Sequence, residues 1–272
     1  MDEDFAFTRS SHSKAVLLFH GLTGAPSELS RYGKALFDAG YDVYCPVLPG
    51  HCRGVEALKL TRWQDWYDFA LEAFDKLAAR YPDVYLSGIC FGSVLTLAVA
   101  AERPAVTGIS ALSTTFFLDG WGLPPVRVLM PLGFATIFKF LYSFPESGPM
   151  GVKNPSVRKQ VAESMKSEHS PMLDCFPLLC VSELSKLSRF VRKRLPQVKA
   201  PVIVLHSLRD DLASIKNARV LMIGVGSTRK DLITLRNSYH LITIDNERDT
   251  VSSKTIAFFD SLSRKPAVSV QV

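Results

Sequence analysis

With 272 residues, 47% of them hydrophobic and 21% charged, the chain can bury one large core, and a single α/β domain carrying an insertion is the natural expectation. Its net charge of +6 favours anionic surfaces only weakly, because the Lys and Arg residues are scattered apart from Arg189-Phe190-Val191-Arg192-Lys193-Arg194, which argues against nucleic-acid binding. The five cysteines (Cys45, Cys52, Cys90, Cys175 and Cys180) follow neither a paired disulfide spacing nor a CxxC zinc pattern, and the acidic start Met1-Asp2-Glu3-Asp4-Phe5 is unlike a signal peptide, so a cytoplasmic setting with no metal and no cofactor is expected.

The first firm strand is Lys14-Ala15-Val16-Leu17-Leu18-Phe19, apolar throughout as a strand covered on both faces should be. It runs into His20-Gly21-Leu22-Thr23-Gly24, a loop that can fold back over the sheet edge and present the Leu22 N–H. Pro26 to Gly40 reads as a helix with Leu29, Tyr32, Leu36 and Phe37 on one stripe, and Tyr41 to Pro46 as the next strand. A turn at Leu48-Pro49-Gly50-His51 follows. A long amphipathic helix then runs from Thr61, its expected cap, to Tyr81, with Trp63, Trp66, Ala70, Phe74 and Leu77 as core anchors.

The chain is organised around the next stretch. Asp83-Val84-Tyr85-Leu86 leads through Ser87 into Gly88-Ile89-Cys90-Phe91-Gly92, and an apolar helix from Val94 to Ala100 follows. This is the layout of a nucleophile elbow, a sharp strand-to-helix turn that holds one strained side chain at the top of a sheet. The positions two before and two after the centre must be small because strand and helix backbones approach closely there, and Gly88 and Gly92 meet that demand. The centre is Cys90. The N–H of Phe91, at a helix N-terminus, paired with that of Leu22, would form an oxyanion hole.

Val106 to Ser113 gives another strand, and the strand–helix alternation implies a mostly parallel sheet with helices on both faces and ligands at the carboxyl ends of its strands. The alternation breaks from Thr114 to about Ala200. The division expected is a core of residues 1–113 and 201–272 with a cap insertion at 114–200, containing an aromatic loop with Trp121, an apolar segment from Val128 to Phe144, a basic stretch from Val152 to Glu168 and a helix from Ser182 to Leu195. The apolar segment, broken by Pro131, Gly133 and Lys139, is too short for a membrane span; it can line an acyl pocket, pack as a cap helix or touch a bilayer surface. The sheet resumes at Pro201 to Ser207, with Asp210 and Asp211 just beyond it, then a helix near Ser214 to Ile223, a strand from Asp231 to Arg236, His240 and a closing helix from Asn246 to Leu262. The order nucleophile, acid, histidine lets His240 move the proton while a carboxylate fixes its tautomer.

On these stretches, together with Pro49-Gly50-His51, Trp63-Gln64-Asp65-Trp66, Arg209-Asp210-Asp211 and Ser238-Tyr239-His240-Leu241-Ile242-Thr243-Ile244-Asp245, the chain resembles the α/β-hydrolases, and among them the small bacterial carboxylesterases and monoacylglycerol-lipase-like enzymes. The resemblance covers both halves of the core and leaves the cap unmatched. It implies the α/β-hydrolase fold and places the catalytic acid at Asp210, with Asp211 an exposed loop neighbour. It places His20, Gly21, Ile89, Trp121 and Tyr239 around the substrate. The chain carries Cys52 where such enzymes have a second glycine after His51, which strains the turn if a positive φ is needed there.

A cysteine in this box resembles dienelactone hydrolases and polyhydroxyalkanoate synthases. A thiolate attacks well, but the tetrahedral adduct of an alkyl ester expels thiolate more readily than alkoxide, so cysteine favours thioesters, activated esters or lactones. The reading expected is a hydrolase cleaving an acyl ester or thioester of a small-molecule or lipid substrate through Cys90, His240 and Asp210. An acyltransferase is the second reading, its basic cap residues Lys153, Arg158, Lys159 and Lys166 meeting an acyl carrier protein or acyl-CoA. The third is a hydrolase-like binding protein, or a serine esterase with a substituted nucleophile.

Overall fold

The computed structural model describes residues 4–125, 130–145, 148–165 and 170–262. Lys166, part of the apolar segment from Val128 and the tail from Ser263 lie outside the described residues. The chain opens with a short strand not expected from its sequence, β1 (Phe5–Phe7), then β2 (Lys14–Phe19). Pro26 starts a 3-10 turn, Pro26–Leu29, so the helix expected from that residue begins later, as α1 (Ser30–Asp38). After β3 (Asp42–Cys45) comes a short helix, α2 (Gly54–Lys59), also unexpected. The Thr61 hydroxyl donates to the Leu58 carbonyl at 2.7 Å and so closes α2 instead of capping the next helix. That helix, α3 (Trp63–Ala78), is capped at Arg62, whose N–H donates to Asp65 Oδ2 at 2.7 Å.

The elbow follows, with β4 (Asp83–Ile89) and α4 (Phe91–Glu102), then β5 (Gly108–Leu112). Between β5 and the next sheet strand the chain forms α5 (Met130–Phe134), α6 (Phe138–Leu141), β6 (Ser143–Pro145), α7 (Pro155–Met165), β7 (Cys175–Pro177) and α8 (Leu178–Arg194). β6 and β7 pair antiparallel as a small separate ribbon. β8 (Val202–Ser207), α9 (Lys216–Gly224), β9 (Lys230–Leu235) and α10 (Arg248–Asp260) complete the chain.

Among the described residues the main sheet has seven strands in the order β1-β3-β2-β4-β5-β8-β9, parallel except for the antiparallel edge strand β1. Helices α1 and α10 pack together on one face, and α3, α4 and α8 on the other. The continuous apolar runs have a physical reason here. β2, β4, β5 and β8 are buried along nearly their whole length, and α4, covered by α3 and α8, is buried on nearly every side. The parallel order brings the carboxyl ends of β2, β4, β5, β8 and β9 to one edge. The loops after them carry His20, Cys90, Ser113, Asp210 and His240.

Candidate active site

Cys90 adopts φ 58° and ψ −118°, a conformation that costs a non-glycine residue on the order of 1–3 kcal/mol and persists only when its surroundings enforce it. They do so through the backbone: the Cys90 N–H donates to the Leu112 carbonyl at 3.0 Å. The neighbouring glycines are required. A Cβ at Gly88 would sit 2.3 Å from the Gly92 carbonyl oxygen, and one at Gly92 would sit 2.0 Å from that of Phe19. The side chain of Cys90 is thus held at the strand–helix apex, 7% exposed.

His240 arrives from the loop after β9. Its Nδ1 lies 2.8 Å from Asp210 Oδ2, while Nε2 is buried and left to interact with the Cys90 side chain. The carboxylate fixes the ring with Nδ1 protonated and so leaves Nε2 as the working atom. Burial alone would lower the pKa of His240, but the charge of Asp210 and the interaction with Cys90 outweigh it and hold the imidazole well above its usual 6.5. Asp210 responds in kind. Burial pushes it up, and His240, His206 and the Ala213 N–H more than reverse this. Its Oδ1 accepts the N–H groups of Leu212 and Ala213 at 2.9 and 2.7 Å, an arrangement in which both oxygens are occupied.

Two further histidines shape the loop opposite. His20 places Nδ1 2.9 Å from the Gly21 carbonyl and accepts the Leu48 N–H on Nε2, so it is neutral with its proton on Nδ1. Burial, then the proximity of His51, keeps its pKa well below 6.5. His51 Nε2 reaches the Leu22 carbonyl at 2.8 Å, and its ring stacks on Phe91 with centroids 6.1 Å apart. Leu22 and Phe91, whose N–H groups are the candidate oxyanion donors, are therefore tied to one imidazole. Phe91 opens α4, so no carbonyl one turn back within the helix takes up its N–H. Glu28 reinforces the loop by accepting the Gly21 N–H.

Above these groups lies a partly open cavity that reaches Cys90, His240, Gly21 and Leu22. Its wall is mostly hydrocarbon and thioether, including Leu118, Met130, Met150, Val161, Met165 and Met172, a lining suited to an acyl chain. Among the described residues no group of three or more His, Cys, Asp or Glu side chains is placed to hold a metal ion.

Comparisons with known proteins identify the family. The model of a hydrolase family described as serine aminopeptidase, S33 matches residues 10–248. The chain belongs to that family. It is 27% identical over 244 residues to the thermostable monoacylglycerol lipase of Bacillus sp. strain H-257, covering 90% of this chain and 89% of the relative. It is 25% identical to the carboxylesterase of Bacillus subtilis strain 168, covering 94% and 96%. A soluble variant of the monoglyceride lipase of Saccharomyces cerevisiae superposes with a TM-score of 0.82 at 15% identity, covering 96% and 92%, and shows the shared α/β-hydrolase fold.

Within this hydrolase the residues expected around the substrate separate. Gly21 lines the cavity. His20 is fully buried beneath it as the organiser of the Leu22 loop, and Ile89 is a core residue of β4. Trp121 is 58% exposed, donates Nε1–H to the Arg209 carbonyl at 3.0 Å and packs edge-on against Tyr239, so this pair braces the loops from outside. The expected exposure of Asp211 is also wrong: it is 6% exposed and lines the cavity, because Gly120 and Gly122 close over its backbone. Cys52 does take a positive φ of 58°. The hydrolase's positioning groups His51 and Glu28 were missed from sequence. His51 had a signal, the Pro49-Gly50-His51 turn, but nothing local announces which carbonyl its ring will reach.

Proposed function

We propose that this α/β-hydrolase cleaves a carboxylic ester or thioester of an apolar acyl chain, with Cys90 as nucleophile, His240 as general base and acid, and Asp210 as the acid that orients it. The observation that carries the reading is that Cys90 at the strained elbow and His240, held by the Asp210 carboxylate at 2.8 Å, come from distant parts of the chain to line one hydrocarbon-rich cavity. In the first step the Cys90 sulfur adds to the acyl carbonyl while its proton resides on His240 Nε2. The N–H groups of Leu22 and Phe91 receive the developing oxyanion. His240 then protonates the departing alkoxide or thiolate, leaving a thioester on Cys90. Water, deprotonated by the same Nε2, attacks that thioester and returns the free acid and the thiol.

The names of the relatives support an ester of a fatty acid as substrate. An acidic acyl carrier has less support in this chain. Lys153 Nζ donates to Asn237, and the Arg158 guanidinium is spent on the carbonyls of Val152 and Lys153. The insertion 114–200 would act as the cap, with its last helix, α8, seated on the core and its apolar α5 and α6 offering a surface for peripheral membrane contact. Among the described residues no helix is long and apolar enough to cross a membrane.

The test is intact-protein mass after brief exposure to a nitrophenyl ester and to an acyl-CoA, with Cys90→Ala and Cys90→Ser alongside. An acyl adduct on Cys90 that decays in water is expected, and faster labelling by the thioester would fix the leaving-group class. A Cys90→Ser variant that turns esters over rapidly while the cysteine form stays inert would instead identify a serine-type esterase with a substituted nucleophile.

A further inference from the structure

A second carboxyl group stands in the cavity wall, one residue beyond the proposed triad acid. Its position is held on two sides. The Asp211 carbonyl accepts the Gly122 N–H at 2.9 Å, and its Oδ2 accepts the Gly151 N–H at 3.0 Å. Gly151 in turn accepts the N–H of Leu241, next to His240, so the carboxyl is fixed relative to the reacting groups. Asp211 Oδ1 is different. It is buried, in a residue only 6% exposed, and among the described residues no donor beyond Asp211's own backbone reaches it. A buried acceptor without a donor is destabilising, and its retention in a ligand cavity calls for a ligand that supplies the donor.

The chemistry of the wall narrows that donor. The cavity as a whole is lined mostly by side chains without a donor, among them Leu118, Met130, Met150, Val161, Met165 and Met172, and a neutral hydroxyl enters such a space at smaller cost than a charged group. Glu28, the other acid of the cavity, already holds the Gly21 N–H. Burial pushes the Asp211 carboxyl up in pKa, with His240 opposing, which also suits a neutral partner over a cationic one.

We propose that Asp211 is a specificity-determining residue that recognises, through Oδ1, a hydroxyl group carried by the substrate close to its scissile bond. This rests on the ester-cleaving reading of the cavity. The hydroxyl can belong to the alcohol portion or to the acyl portion, and two probes separate these sources: 1-monooctanoylglycerol carries it in the alcohol and methyl 3-hydroxyoctanoate in the acyl chain, while methyl octanoate has none.

Binding of the three is measured by titration calorimetry on the full chain with Cys90→Ala, so that no turnover intervenes. One hydroxylated ester is expected to bind about tenfold more tightly than methyl octanoate, the worth of one good hydrogen bond. Adding Asp211→Ala should reduce that ratio to within about twofold. Because Asp211 also anchors Gly151, its loss can weaken all three ligands, but such an effect cancels in the ratio. Should Asp211→Ala fail to fold, Asp211→Asn, which keeps an acceptor for Gly151, should still lower the ratio by about threefold or more. No preference for either hydroxylated ester, or a preference that survives these substitutions, overturns the assignment. Failure of the ester-cleaving reading is seen separately, as the absence of an acyl adduct on Cys90 in the parent protein.

Discussion

The carboxyl edge of the sheet and the segment between β5 and β8 are built on opposite terms. At the sheet edge the groups that hold the loops in place are hydrogen-bonded: His20 holds Gly21 and Leu48, His51 holds Leu22, and Asp210 satisfies both oxygens. This leaves His206 Nδ1, Asp211 Oδ1 and His240 Nε2 as the buried exceptions among the described residues. In the segment between β5 and β8, α5 and α6 are only four or five residues long, and Leu132, Ile137, Phe138 and Leu141 are more than half-exposed, Leu141 by 73%. In the first region hydrogen bonds offset the cost of burying polar groups in a low dielectric. The second exposes hydrocarbon that no element among the described residues covers. The division suits a site that must hold its chemistry fixed while an apolar substrate is collected beside it.

The largest effects should come from the fixed side. Cys90→Ala or His240→Ala should lower ester turnover by about 10⁴-fold or more while the protein still folds, and Asp210→Asn by a comparable factor through the wrong tautomer. If Asp210→Asn is silent and Asp211→Asn is not, the acid has been misplaced. Gly92→Ala comes next. Its Cβ would stand 2.0 Å from the Phe19 carbonyl oxygen, and backbone cannot yield as a side chain can, so a loss of about 3 kcal/mol or more, read by urea unfolding, is expected.

The histidines beneath the oxyanion loop allow a smaller and more specific test. His51 is buried, and burial, partly opposed by the carbonyls of Pro49 and Leu22, lowers its pKa from 6.5 to about 4. The folded protein therefore binds fewer protons than the unfolded chain in that window. Stability from this group is fully present above pH 6.5 and is lost as the pH falls toward 4, by about 3 kcal/mol. His51→Gln, which can still donate to Leu22, should flatten the dependence of the urea midpoint between pH 7 and 4. An unchanged slope would mean that His51 is accessible to protons in the folded state.

The same two regions explain what was legible in the sequence. β2, β4, β5 and β8 showed as unbroken apolar runs because helices cover both their faces, and the elbow showed because its glycines answer a purely local steric demand. Cys90, His240 and Asp210 could be named from their places after strands. Asp211 could not be placed. Whether a loop aspartate faces solvent or a cavity depends on Gly120, Gly122 and Gly151, which approach it from elsewhere in the chain. Trp121 failed for a related reason, since its indole N–H finds the Arg209 carbonyl, a partner with no sequence signature. In the insertion the ribbon of β6 and β7 was missed because strands of three residues carry no usable period.

The smallest expected effect on stability tests the insertion itself. Ile137 and Leu141 lie at the start and end of α6, 68% and 73% exposed, so replacing both with serine removes little buried area. The urea midpoint should therefore move by less than about 0.5 kcal/mol equivalent, in contrast to Gly92→Ala. Hydrolysis of a small soluble nitrophenyl ester should also be unchanged, because neither residue lines the cavity described above. Retention on phosphatidylcholine vesicles in a sedimentation assay should fall several-fold, since each large side chain withdrawn from water into the interface contributes about 1 kcal/mol or more. If vesicle retention is unchanged while stability drops, these side chains serve packing, and the contrast between a fixed site and an open apolar collector does not hold for this face.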